Sequence, residues 1–494
     1  MVKRSTVVWL MAICCFASPA CRSAQAAPGG GESAAIDAIL QNARMRWHLV
    51  SITAEARRDG QIIYARSLGS ADLQNDVPAT PQGLYAIGSI TKSLTSFCIL
   101  NLVHEGKLKL DSRVGDILPY YEGPSRDVTI RQLLTHTSGV LDYAGDSAPA
   151  LFGNPVNHFT ESDVVDEFKD KPLVFKPGSH WQYSNSGYYL LSLVVEKASG
   201  LSYDDAVRRF VLKPFALDEM ALGQRAPIIK KRVMGYTIDA HGRVQNASGW
   251  GAILPLGAGA FLASADDLTL YIADLFSAKV PAAVHRMMFD RVSLPDGTVV
   301  NYLPAALVES DFYGHPKFSH GGGIWGFLTF VTYYPKDRLA ITVMVNTDNV
   351  VSSENPQIPG IERRIARVLF GIPQPRIARL PLGATEAAKY VGTYEMPEYL
   401  LSRNRVSFFY AHQRLFMSLG SKPVSYINWE NAQKGIRYQD SLMIELLNQG
   451  GGHFVEKSNP EAEITFSGGN SRHLEVQLGF EGWPFVGSFV GHTS

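Results

Sequence analysis

The stretch Gly88-Ser89-Ile90-Thr91-Lys92-Ser93-Leu94-Thr95-Ser96-Phe97-Cys98 decides how the chain is to be read. Ile90, Leu94, Phe97, Cys98 and Val103 recur at three- and four-residue spacing, which predicts a helix from Ser89 to about Glu105, with Gly106 able to cap its end. A spacing of three puts Ser89 and Lys92 on one face of that helix, where their side chains can meet. A serine in the first turn also lies among unpaired N–H groups and partial positive charge, which favour an oxyanion. A lysine beside it, partly desolvated, can serve as a base. Alone, Ser-x-x-Lys is weak, because a chain of 494 residues offers such a match by chance and an N-cap serine near a surface lysine reads the same way. Cys98, nine residues after Ser89 on the apolar helix, reads as core.

Working outward, two further motifs matter. Tyr183-Ser184-Asn185 lies in a loop rich in Gly, Ser and Asn, the composition of a segment that aims side chains into a cleft. A tyrosine there can relay protons, and an asparagine can donate and accept. The tripeptide discriminates poorly by itself, since Tyr426-Ile427-Asn428 repeats its pattern. His320-Gly321-Gly322-Gly323 precedes two β-rich runs, Phe327 to Tyr334 and Leu339 to Val345, joined by a Pro335-Lys336-Asp337 turn. Glycines at such a place allow close backbone approach and leave N–H groups free to face an oxyanion.

Taken in order, Ser-x-x-Lys, then Tyr-x-Asn, then His-x-Gly before a hairpin resembles the serine β-lactamase and penicillin-binding protein superfamily. It is most similar to the branch of class C β-lactamases, D-aminopeptidases, DD-peptidases and related esterases. Leu133-Leu134-Thr135-His136-Thr137-Ser138-Gly139 and the run Gly178 to Leu191 are similar to segments of the same branch. The resemblance covers roughly residues 35–370. It implies an α+β fold: an antiparallel sheet flanked by helices, with a helical subdomain and the catalytic helix at their junction. It also implies that Ser89 is the nucleophile, that Lys92 and Tyr183 share acid and base work, and that Asn185 holds the lysine and the substrate amide. The N–H groups of Ser89 and Gly323 would form the oxyanion hole, with Gly322 and His320 lining the substrate site.

One departure bears on substrate. Class C β-lactamases usually carry Lys-Thr-Gly where this chain has His320-Gly321-Gly322. A histidine supplies a cation for a substrate carboxylate only when protonated. The expected substrate is therefore an ester, a D-amino-acid amide or a peptidoglycan-like peptide, with peptidoglycan itself a candidate partner. The alternatives are a β-lactamase proper, and a sensor that acylates at Ser89 without turnover. His136 has two readings, a second catalytic base or a hydrogen-bonded structural histidine in a turn.

The rest of the chain sets the frame. Hydrophobic content of 46% and charged content of 19% suit a globular protein. The 46 basic residues balance 46 acidic ones, and no long basic run occurs, which argues against a nucleic-acid surface. Lys3 and Arg4, the apolar run Val7 to Ala17 and Ala24-Gln25-Ala26 read as a signal peptide over 1–27, hence a periplasmic or secreted protein. Lipoprotein processing at Cys21 and a short membrane anchor are the alternatives. Processing would leave Cys98 as the one cysteine, with three more acidic than basic residues and no transmembrane span. No metal-ligand spacing and no phosphate-binding glycine loop occur, so no metal or cofactor is expected. Residues 28–34 read as a linker and Trp47 to Leu73 as early strands with a turn at Asp59-Gly60. The cluster Gly371, Pro373, Pro375, Pro381 and Gly383 predicts a boundary between a hydrolase domain over 28–375 and a small all-β module, sandwich or barrel, over 385–494.

Overall fold

The computed structural model describes residues 30–144, 160–223, 228–239, 241–247, 253–348, 358–374 and 376–395. Beyond these it describes 405–411, 413–419, 443–457, 463–467, 475–480 and 483–491. The expected signal peptide and the Cys21 lipidation site lie outside the described residues.

The main sheet has eight strands, every neighbouring pair antiparallel. In chain order they are β1 Ser51–Arg58, β2 Gln61–Asp72, β3 Val77–Pro78, β4 Tyr302–Leu303, β5 Leu307–Phe312, β6 His315–Ile324, β7 Phe327–Tyr334 and β8 Leu339–Val345. Their order across the sheet is β4-β5-β6-β7-β8-β1-β2-β3. The N-terminal hairpin turns at Asp59-Gly60, both at positive φ, and the central one turns through a 3-10 turn at Pro335–Asp337. Both turns and the two long C-terminal strands lie where the sequence places them.

Helices cover both faces: α1 Gly30–Arg46, α2 Thr91–His104, α3 Asn185–Ser199, α4 Ala265–Asp274 and α5 Ile358–Phe370. Alternation along β8 shows why both faces must be covered. Leu339, Ile341, Val343 and Val345 join the cluster that contains α1 and α5, while Ala340 and Met344 join the cluster that contains α2, α3 and α4. A strand buried on both faces reads as a continuous apolar run, as β8 does. Helix α2 is buried nearly all round, so it runs inside the domain rather than along its surface.

One expectation fails here. Residues 30–34, read as linker, are the first turns of α1. Ile36, Ile39, Leu40 and Ala43 form its buried stripe against the sheet and α5, and that packing extends the helix back through a Gly/Ser/Ala-rich segment with little propensity of its own. The first strand correspondingly starts at Ser51, not Trp47.

The C-terminal strands, from Gly392–Glu395 to Trp483–Gly491, form a closed eight-stranded barrel in which the last strand pairs with the first. Its described interior is aromatic, with Tyr390, Tyr394, Phe408, Phe454 and Phe466 in mutual ring contact. Closure removes the exposed edges that an open sheet of this size would present. Among the described residues no helix is long and apolar enough to cross a membrane.

Candidate active site

Ser89 sits in a 3-10 turn, Gly88–Ile90, that leads into α2. The turn is pinned on both sides. The Ile87 N–H donates to Phe261 O at 3.0 Å, and Thr91 Oγ1 accepts from the Phe261 N–H at 3.1 Å. Gly88 has φ +50, and a β-carbon on it would lie 2.8 Å from Gly323 N and 2.9 Å from Gly323 O. The amide of Gly323 on β6 therefore abuts the backbone that carries Ser89. Ser89 is part-exposed while Gly88, Ile90, Thr91 and Lys92 are buried. Gly323 is exposed.

Lys92 is fully buried, with three polar contacts. Its Nζ lies 3.1 Å from Ser89 Oγ, 2.7 Å from Asn185 Oδ1 and 2.8 Å from the carbonyl oxygen of Ala258. The Nζ also stands 4.7 Å from the ring centre of Tyr183. Burial drives the ammonium down, to about 7, while the charge of Asp142 pulls it up. Ala258 belongs to a tight turn, Leu256–Gly259, that Thr95 Oγ1 moors by donating to Gly257 O at 2.7 Å. Gly257 packs so closely on α3 that a β-carbon there would lie 2.6 Å from Ser192 Cβ.

Asn185 is the first residue of α3, capped by Ser184, whose Oγ accepts the Gly187 N–H. Its side-chain amide is held from behind: Nδ2 donates to Asp142 Oδ2 at 3.1 Å, and its backbone N–H donates to Asp142 Oδ1 at 3.0 Å. His136, at φ +58, packs against the rings of Tyr183, Tyr188 and Tyr302. Its Nδ1 accepts the Ser184 N–H at 3.1 Å, and burial holds its pKa well below the usual value. That is the hydrogen-bonded structural histidine of the two readings, clamping the loop that carries Tyr183.

His320 lies on β6, its side chain on the α2 side of the sheet. Nδ1 is 2.5 Å from Gly321 O and Nε2 is 3.1 Å from the Tyr302 hydroxyl. A carbonyl only accepts, so Nδ1 carries the proton and Nε2 accepts from Tyr302. Burial first, then the nearby Lys92, push the imidazole down to about 4. His320 is a neutral ring at neutral pH and supplies no cation.

All seven residues singled out in the sequence thus converge on the end of α2: Ser89, Lys92, Tyr183 and Asn185 around the lysine, and His320, Gly322 and Gly323 on β6. Sequence reasoning missed Asp142, the Ala258 carbonyl and Tyr302. Asp142 lies three residues past the Thr-His-Thr-Ser-Gly segment, and that adjacency is the one signal that could have drawn attention to it. Among the described residues no group of His, Cys, Asp and Glu could hold a metal ion.

A family model described as beta-lactamase matches residues 36–361, about two thirds of the chain. The chain belongs to the beta-lactamase family. Among its relatives in sequence is penicillin-binding protein 4* of Bacillus subtilis, 27% identical over 373 residues, covering 70% of this chain and 80% of that protein. Another is protein flp of Staphylococcus aureus, 26% identical over 325 residues, covering 64% of this chain and 63% of that protein, so this chain spans less than two thirds of flp. The fold matches the octameric penicillin-binding protein homologue from Pyrococcus abyssi (TM-score 0.61, 22% identity, 91% of this chain and 99% of that one). It also matches the D-amino acid amidase from Ochrobactrum anthropi SV3 (TM-score 0.60, 20% identity, 69% and 99%). The chain is a hydrolase of the beta-lactamase fold, and the expected antiparallel sheet with flanking helices and an appended all-β region is what the family member here has.

Proposed function

We propose that this protein is an exported serine hydrolase, periplasmic or secreted, that cleaves an ester or amide bond through an acyl-enzyme on Ser89. The observation that carries the reading is the set of three contacts on Lys92 Nζ. A neutral amine has two N–H donors and one lone pair. Asn185 Oδ1 and the Ala258 carbonyl can only accept, so they take the two N–H bonds. Ser89, the third of these contacts, has a proton to give, and the lone pair therefore faces its hydroxyl.

In the first half-reaction Lys92 takes the Ser89 proton as Oγ bonds to the substrate carbonyl carbon. The resulting oxyanion is met by the N–H groups of Ser89 and Gly323, each contributing about 2.7–4 kcal/mol if it behaves as oxyanion donors generally do. As the C–O or C–N bond breaks, the leaving group takes up the proton held by Lys92, with Tyr183 as relay. In the second half-reaction water adds to the acyl carbon, its proton passing to the same base. Ser89 leaves with a proton restored, and the acid product is released.

The neutral state of His320 favours substrates recognised without a carboxylate at that position: esters, D-amino-acid amides or peptides. The structural relative named as a D-amino acid amidase lends weight to that class, whereas the relative named for penicillin binding keeps the penicillin-binding alternatives in the test. We further propose that residues 28–375 form the hydrolase domain and 385–494 an accessory module shaping substrate access. The test is intact-mass labelling of the mature protein and its Ser89→Ala variant by a fluorophosphonate and by a penicillin. Fluorophosphonate adduct on the wild type alone, mapped to Ser89, with no penicillin adduct, is the expected result. A lasting penicillin adduct would favour the sensor, a penicillin adduct that clears would favour a β-lactamase, and no adduct from either would overturn the reading.

A further inference from the structure

We infer that Asp142 is a positioning residue: through two hydrogen bonds to Asn185 it fixes which end of that amide faces Lys92, and so fixes the direction in which Lys92 presents its lone pair. The inference rests on the serine hydrolase reading above and adds a residue that the motifs do not contain.

Asp142 has three N–H groups aimed at its carboxyl. Oδ1 accepts from the backbone of Asn185 at 3.0 Å and of Ala144 at 3.1 Å, and Oδ2 accepts from Asn185 Nδ2 at 3.1 Å. An asparagine amide has two nearly isosteric ends, one donor and one acceptor, and only its partners decide which way it points. With a carboxylate behind it, Nδ2 must turn backward and Oδ1 must face Lys92. The opposite orientation would drive an N–H into the lysine lone pair and present oxygen to oxygen at Asp142. Lys92 would then have only N–H bonds left for Ser89 and could not take its proton.

When ionised, Asp142 has a second effect, through space: burial raises the pKa of its own carboxyl, against which the N–H groups of Ala144 and Asn185 and the charge of Lys92 favour the carboxylate. Asp142 is the acid that acts on Lys92, holding the lysine pKa higher than burial alone would. The other groups facing Lys92 are His136 and His320, both kept neutral by burial, and the rings of Tyr183 and Tyr188.

Asp142→Asn tests both effects with an isosteric side chain. Its oxygen can still accept from the two backbone N–H groups, which leaves its own NH2 against Asn185 Nδ2 and forces the Asn185 amide over. The full-length mature protein is labelled at Ser89 with a fluorophosphonate across pH 5 to 9. The expected result is a folded D142N protein labelled about 100-fold more slowly or worse, the lower bound typical of a general base, with the acid limb of its profile moved to lower pH. The exchanged pair D142N/N185D restores an acceptor toward Lys92 and a donor behind it. It should regain at least tenfold over D142N, with the acid limb moved above that of the wild type.

D142N labelling within threefold of wild type on an unmoved limb would overturn the inference, as would a folded exchange variant no better than D142N. If D142N alone fails to fold, the exchanged pair decides: labelling within tenfold of wild type on a raised limb supports the inference, and a folded but inert protein overturns it. Loss of fold in both would make Asp142 a structural residue and equally overturn it. Failure of the wild type itself to label at Ser89 is a different outcome, and it sinks the hydrolase reading instead.

Discussion

Gly322 runs against Ile87 so closely that a β-carbon on the glycine would overlap the Ile87 carbonyl oxygen and lie 2.5 Å from Thr329 Oγ1. The Thr329 hydroxyl donates to that same carbonyl at 3.1 Å. This contact docks β6 onto the turn that carries Ser89, and it sets where the Gly323 amide stands.

Gly322→Ala must therefore push β6 away from the turn, because the obstacle is backbone and cannot swing aside. Ser89 labelling by a fluorophosphonate should fall about 100-fold or more, the typical loss for one oxyanion donor. Gly321→Ala is the control. Its β-carbon would meet the Phe330 ring at 3.5 Å on the opposite face of the sheet and the Thr329 carbonyl oxygen at 3.9 Å, both ordinary contacts. Labelling within about threefold of wild type is expected there. A folded Gly322→Ala protein that labels normally would show that β6 does not need this close approach.

The pH profile of labelling separates the two candidate titrating groups. A base must be neutral to act, so the rate should fall about tenfold per unit as pH drops below the Lys92 pKa, near 7, and level off above it. His320, held down to about 4, stays neutral throughout that range. His320→Gln should thus leave the acid limb in place whatever it does to the plateau. A limb that disappears in His320→Gln would assign the titration to the histidine and return a cation to the substrate site.

How much of this was legible beforehand depended on the range of the interaction. Ser89 and Lys92 are three residues apart on one helix, and β7 and β8 alternate and turn within their own twenty residues, so local pattern sufficed for both. Gly321, Gly322 and Gly323 are identical as letters, yet one faces a ring, one a carbonyl and one solvent, because Ile87 comes from far upstream. The charge state of His320 depends on Tyr302 and on burial, neither visible in a His-x-Gly motif. Asp142 escaped notice because its partner Asn185 lies 43 residues away. The start of α1 was misread because its stripe packs on α5, more than 300 residues later, and local composition pointed to a linker.

The same strand that presents His320 on one face carries Lys317 on the other. Lys317 and Glu362 of α5 form an ion pair at 3.4 Å with side chains 1% and 0% exposed, and Tyr334 donates a hydrogen bond to the same carboxylate at 2.8 Å. Removing one member of such a pair leaves the other charge buried, which typically costs about 3–5 kcal/mol, whereas removing both often costs little. Lys317→Met and Glu362→Gln should each lower the denaturation midpoint of the hydrolase domain sharply, and Lys317→Met/Glu362→Leu should recover most of the loss. Because a chain this long need not unfold in one step, the midpoint should be read as loss of Ser89 labelling against urea rather than as a global signal. Additive single-variant losses in the double variant would mean that the two charges do not sense each other. Recovery of stability with slower labelling would instead show that the pair holds β6 in register for the site on its other face.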